Sequence, residues 1–142
     1  MLIFDPVRGL DSTGIAFVPN VGSKPVVEKE LGGPDNLSYW GESKVLRLDG
    51  IPEFSHRVML GHNRAATIGK ITQENAHPFT YGDITGVHNG SLRRWDMLED
   101  AATIDVDSKA VFNTINKKGI THLWKELNGA ATLVWWNEKD ET

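Results

Sequence analysis

DITGVHNG (Asp83–Gly90) reads as a strand, Asp83–His88, halted by Asn89-Gly90, a strong turn signal. Beyond it the pattern changes period. Leu92–Asp100 predicts a short helix, and a better one starts where Asp107 or Ser108 can cap the first turn. Ala110, Val111, Thr114 and Ile115 share one face of that helix. Thr121–Leu127 predicts a third helix closed by Asn128-Gly129, and AATLVWW (Ala130–Trp136) predicts a buried strand. On the N-terminal side, Arg57–Leu60 leads apolar into GHNR as another buried strand. Pro25–Glu30 follows the NVGSKP turn, and Gly14–Val18 (GIAFV) leaves a glycine turn. Asn36–Leu48 stays ambiguous, because Leu37, Trp40, Lys44 and Leu48 give only a partial helical stripe. Strands precede and surround a helical stretch without regular βαβ alternation, which predicts mixed α+β layers rather than a doubly wound sheet.

The chain has 142 residues, within the range of one domain and enough to bury a core. Apolar residues make up 39% and charged residues 24%, the balance of a globular protein. A formal charge of −4 and a pI of about 5.7 give no electrostatic footprint for nucleic acid. No apolar run reaches bilayer-spanning length, and MLIFDPVRG lacks the basic flank and apolar core of a signal peptide. A cytoplasmic location without membrane attachment is the expectation. Cysteine is absent, which excludes disulfides, thiolate metal sites and cysteine catalysis by these residues.

RGLDSTG (Arg8–Gly14), GHNRAATIG (Gly61–Gly69), NAHPF (Asn75–Phe79) and VHNG (Val87–Gly90) together read as a pocket for a free amino acid. Arg64 follows an apolar strand among small residues, where a guanidinium can grip a carboxylate through two parallel hydrogen bonds. A structural arginine paired with a nearby acid is the bland alternative. The Gly90 N–H and the Asn89 amide can stabilise an oxyanion, although Asn-Gly alone is more often an ordinary turn. Asp107 can bind an ammonium, although a carboxylate at a helix start more often caps it.

His62, His77 and His88 invite a metal reading, since imidazole is the commonest ligand. Their spacing matches no compact metal motif, and no metal is expected. Trp95, Trp124, Trp135 and Trp136 fall at helix and strand positions and are expected in the core, while Trp40 has no assignment.

The ordered set RGxDSxG, GHxRxAT, NAHPF, VHNG and Asp107-Ser108 resembles the class II glutamine amidotransferase domain, an N-terminal nucleophile hydrolase. The likeness is to the glucosamine-6-phosphate synthase type and covers Arg8 to about Ala110, more loosely reaching LNGAATLVWW. The resemblance implies a four-layer αββα sandwich of antiparallel sheets, here incomplete, as one domain over residues 1–142. It implies a cysteine nucleophile at the mature N-terminus whose α-amine, titrating near about 8, serves as base. Thiolate attack on the glutamine side-chain amide then releases ammonia, and water hydrolyses the γ-glutamyl thioester. By resemblance, Arg64 takes the α-carboxylate with Thr67 beside it. Asn89 and Gly90 form the oxyanion hole, Asp107 binds the α-ammonium, and Arg8 braces the nucleophile's strand.

The chain departs from the family in several places. The nucleophile's strand is expected before MLIFDPVRG and further strands after WWNEKDET, so the sequence reads as clipped at both ends and inactive as given. Met1 is no substitute, because a thioether has no proton to lose. Ala65 stands where relatives carry tryptophan, Ile68 where they carry histidine, and Lys109 in place of a common acid. The implied ligand is L-glutamine, with no cofactor, and a synthase domain or subunit is the possible receiver of ammonia. Two other readings remain open: a non-catalytic module that binds glutamine or a related amino acid, and a metal-dependent hydrolase using His62, His77 and His88.

Overall fold

The computed structural model describes residues 9–20, 22, 24–37 and 56–142. Arg8, Trp40 and all but the first two residues of the ambiguous 36–48 stretch lie outside them. The chain divides into two compact units. One comprises Met1–Ala66 with Ile71–Pro78, the other Thr67–Lys70 with Phe79–Thr142.

The first unit is built on an antiparallel sheet of β1 (Ser12–Pro19), β2 (Val26–Leu31) and β3 (His56–Arg64), in the order β2-β1-β3. The GIAFV run is continuously apolar because β1 is central and covered on both faces. Ile15 and Phe17 pack with Leu37, which follows a single 3-10 turn at Pro34–Asn36. β2, at the edge of this sheet, carries three consecutive charged residues, Glu28, Lys29 and Glu30, which discourage pairing with a further strand. The sequence places Arg64 in a loop after its strand. The structure makes it the last residue of β3, paired with Ser12.

The second unit holds another antiparallel sheet, β4 (Phe79–Tyr81), β5 (Ile84–Leu92) and β6 (Gly129–Asn137), in that order. Helix α1 (Asp107–Lys118) packs on β5 and β4, and α2 (Ile120–Glu126) packs on α1. Phe79, Ile84, Leu92, Leu98, Val106, Ala110, Val111, Phe112, Ile115 and Leu123 form the core between helix and sheet. Burying each of the larger side chains contributes about 1.5–3 kcal/mol, which is how a 12-residue helix outlasts its modest intrinsic propensity. Lys117 and Lys118 in its last turn complement the helix dipole.

Two local expectations fail here for one reason. Asn89-Gly90 does not end the strand, because β5 continues to Leu92 with Asn89 opposite Thr132 and Gly90 opposite Ala131. Gly90 has φ +154, and a Cβ there would lie 2.1 Å from the Ala130 carbonyl oxygen. Its glycine therefore serves close strand pairing instead of chain reversal. With β5 extended, the helix expected at Leu92–Asp100 is replaced by 3-10 turns at Trp95–Met97 and Ala101–Thr103. The Arg93 N–H is committed to the Asn128 carbonyl at 2.8 Å. β6 is also not the buried strand expected. It is a sheet edge that turns Ala131, Leu133 and Trp135 to the core and leaves Thr132 and Val134 exposed.

Candidate functional site

In the first unit the site begins with Arg64, only 4% exposed at the end of β3. Burying a guanidinium fixes its head only if the backbone beneath it is fixed as well. The segment before β1 does this. Asp11 donates its N–H to the Arg64 carbonyl at 3.1 Å, and its carboxylate accepts the Ala66 N–H at 2.7 Å. The Asp11 carbonyl in turn accepts the Gly32 N–H at 3.0 Å. Thr13 donates through Oγ1 to Asn63 Oδ1 at 2.7 Å, one residue before Arg64. The conspicuous arginine of the RGLDSTG motif, Arg8, lies outside the described residues. The brace that is visible runs through Asp11, which the sequence reading did not single out. An acid three residues before the apolar run that opens at Gly14 was the available signal.

His62 and His77 stack in this same unit, ring centroids 4.1 Å apart and planes inclined by 40°. His88 belongs to the second unit and bonds to a serine. Among the described residues no group of three or more His, Cys, Asp or Glu is placed to hold a metal ion.

In the second unit Asp107 opens α1 and is 5% exposed. The residue preceding the helix is Val106, and no side chain caps the helix there. The Asp107 carboxylate instead accepts the Ser108 N–H at 2.8 Å and the Leu92 N–H from β5 at 3.4 Å. The Ser108 hydroxyl lies 3.4 Å from Asp107 Oδ1. Among the described residues no cation pairs with this carboxylate. A buried anion at a helix N-terminus gains from the dipole, yet retains acceptor capacity for a charged donor.

The structure thus joins Asp107 to the Asn89–Leu92 end of β5. Asn89 and Gly90 are themselves exposed, while His88 beside them is 3% exposed. The His88 Nδ1 lies 2.8 Å from Ser108 Oγ. Burial lowers the His88 pKa below the ordinary 6.5, against an opposing pull from the Asp107 charge. Imidazole is therefore neutral there at physiological pH. Thr67, also of this unit, is exposed, and nearby Gly69 is held tightly against the Asp105 carbonyl and Val106.

Among the described residues no helix is long and apolar enough to cross a membrane. No family model matches the chain. Curated proteins do. The isomerizing glutamine–fructose-6-phosphate aminotransferase of Aquifex aeolicus is 35% identical over 97 residues, covering 66% of this chain and 14% of its own. That of Acinetobacter baylyi is 32% identical over 117 residues, covering 77% and 17%. That of Vibrio cholerae is 32% identical over 139 residues, covering 89% and 19%. The chain therefore spans less than a fifth of the length of these relatives. Among solved structures, the glutamine phosphoribosylpyrophosphate amidotransferase from B. subtilis matches with a TM-score of 0.65 at 23% identity. The match covers 92% of this chain and 30% of that one. At that identity the likeness establishes the fold, an incomplete α+β sandwich.

Proposed function

The chain carries a class II glutamine amidotransferase domain of the N-terminal nucleophile hydrolase type, and on that premise we propose that residues 1–142 form one domain binding L-glutamine for hydrolysis of its side-chain amide. The observation that carries this reading is the Asp107 carboxylate, buried at the start of α1 with no cation paired to it among the described residues. Burying a charge costs several kcal/mol unless it is paired, and a substrate α-ammonium is the missing partner. Arg64 takes the α-carboxylate, with Thr67 assisting. Asn89 and the Gly90 N–H stabilise the oxyanion that develops on the amide. Ammonia passes to a synthase domain or subunit, and the protein works in the cytoplasm without a cofactor.

Cysteine is absent from the 142 residues, so the attacking thiol is one that they do not supply. These residues alone are expected to bind glutamine without releasing ammonia. A second reading is a module that binds glutamine without hydrolysing it. Ammonia release by the natural gene product distinguishes the two.

Calorimetric titration with L-glutamine and N-acetyl-L-glutamine tests the site. Glutamine binds and the acetylated analogue, which has no ammonium, does not. Asp107→Asn and Arg64→Ala each weaken glutamine by about tenfold or more, the loss of a hydrogen bond to a charged group. Equal binding of both ligands, or an Asp107→Asn variant with unchanged affinity, would overturn the assignment.

A further inference from the structure

His88 and Ser108 are absorbed by none of the roles above, yet they lie between the two parts of the second unit that have roles. We propose that they form a positioning pair, holding the Asp107 carboxylate and the Asn89-Gly90 backbone in one hydrogen-bonded frame. The proposal rests on the glutamine reading and names residues that touch no substrate. His88 precedes Asn89 on β5, and Ser108 follows Asp107 on α1, so a bond between them ties strand to helix where both carry function. That bond is 2.8 Å long and buried at both ends.

The remaining contacts fix its direction. Ser108 Oγ has one proton, and Asp107 Oδ1 lies 3.4 Å from it with no other side-chain donor among the described residues. A relay in which His88 Nδ1–H donates to Ser108 Oγ and the hydroxyl donates to Asp107 gives each of the three groups a partner. It leaves the His88 Nε2 as a bare lone pair. That atom is buried, has no hydrogen-bond partner among the described residues and faces Gly90, where a Cβ would stand 2.8 Å from it. The opposite tautomer would bury an unpartnered N–H at the same place. The pair thus sets the helix start against the strand and packs the ring beside Gly90, so that moving the ring shifts the backbone expected to face the amide.

The test combines nitrogen NMR of the His88 ring in the 142-residue chain with glutamine titrations of wild type, Ser108→Ala and Ser108→Thr. The wild-type ring is expected as the Nδ1–H tautomer, the minor form of free histidine. Ser108→Ala should lose that single tautomer and weaken glutamine by about fivefold to tenfold, and Ser108→Thr, which keeps the hydroxyl, should retain both. A wild-type ring protonated on Nε2 overturns the relay, and needs no variant to fold. Glutamine binding by wild type with an unchanged affinity in Ser108→Ala overturns the positioning role and leaves the glutamine reading standing. A wild type that binds no glutamine overturns that reading, and this proposal with it.

Discussion

The ring of Phe112 occupies the space that a side chain at Gly86 would need. A Cβ on Gly86 would stand 2.3 Å from Phe112 Cε1 and 2.8 Å from the Trp135 Cβ. Phe112 is fully buried in α1, and Gly86 lies on β5, so the helix approaches the sheet over a residue without a side chain. Gly86→Ala should cost about 1–3 kcal/mol through overpacking. Phe112→Leu makes room, so the double variant should be more stable than the two separate losses predict, by about 0.5–3 kcal/mol. Urea unfolding of the four proteins measures the coupling. Strict additivity would show that the ring and residue 86 do not compete for one space.

Asp11 supports Arg64 through the backbone that follows it, at the Arg64 carbonyl and the Ala66 N–H. Asp11→Ala strips the Ala66 N–H of its 2.7 Å acceptor and should cost about 1–2 kcal/mol. Asp11→Asn keeps an uncharged acceptor and should fall in between. If the brace serves Arg64, glutamine affinity follows the same order as the melting temperature. An Asp11→Ala variant that is less stable but binds glutamine like wild type would make the brace purely structural.

Segments whose apolar residues run continuously or along one face were legible in the sequence as elements, although the burial of β6 was not. GIAFV became β1, the face carrying Ala110, Val111, Thr114 and Ile115 became α1, and AATLVWW became β6. Misreadings arose where a residue has two physical uses. Gly90 reads as a turn because glycine permits positive φ, whereas here that φ serves close pairing within β5. Asp107 reads as a cap, yet the residue in the capping position is Val106, and the Asp107 carboxylate accepts from Leu92 and Ser108 instead. β4 was missed because a three-residue strand carries no period of its own. His88 drew attention as a metal ligand, and its bond to Ser108 depends on a helix–strand approach that no local spacing encodes.

Stability should depend on pH through His88. Burial lowers its folded pKa, so below about 6.5 the unfolded chain binds a proton that the folded chain resists. The unfolding free energy should be level above that pH, decline as the pH falls from 6.5 toward the folded pKa, and level again beneath it. His88→Gln removes this component, whatever its effect on the absolute value. Urea midpoints at a series of pH values, wild type against variant, give the difference. A variant with the wild-type slope across that window would assign the dependence to other groups.

Trp124 and Trp136 should respond oppositely to substitution, although the sequence places both in the core. Trp124 is 72% exposed on α2, the outer side of a short helix whose inward contact is Leu123. Trp136, 4% exposed, lies opposite Thr85, where the exposed-and-buried alternation of β6 gives way near the strand's end. Trp124→Gln should change stability by no more than about 0.5 kcal/mol, as exposed substitutions do. Trp136→Ala should cost about 3–5 kcal/mol, the transfer term of a large ring plus the cavity it leaves. Thermal and urea unfolding of the two variants decide the matter. A loss at Trp124 exceeding about 1 kcal/mol would mean that this ring is covered in the folded protein, and the outward face of α2 would then be a contact surface.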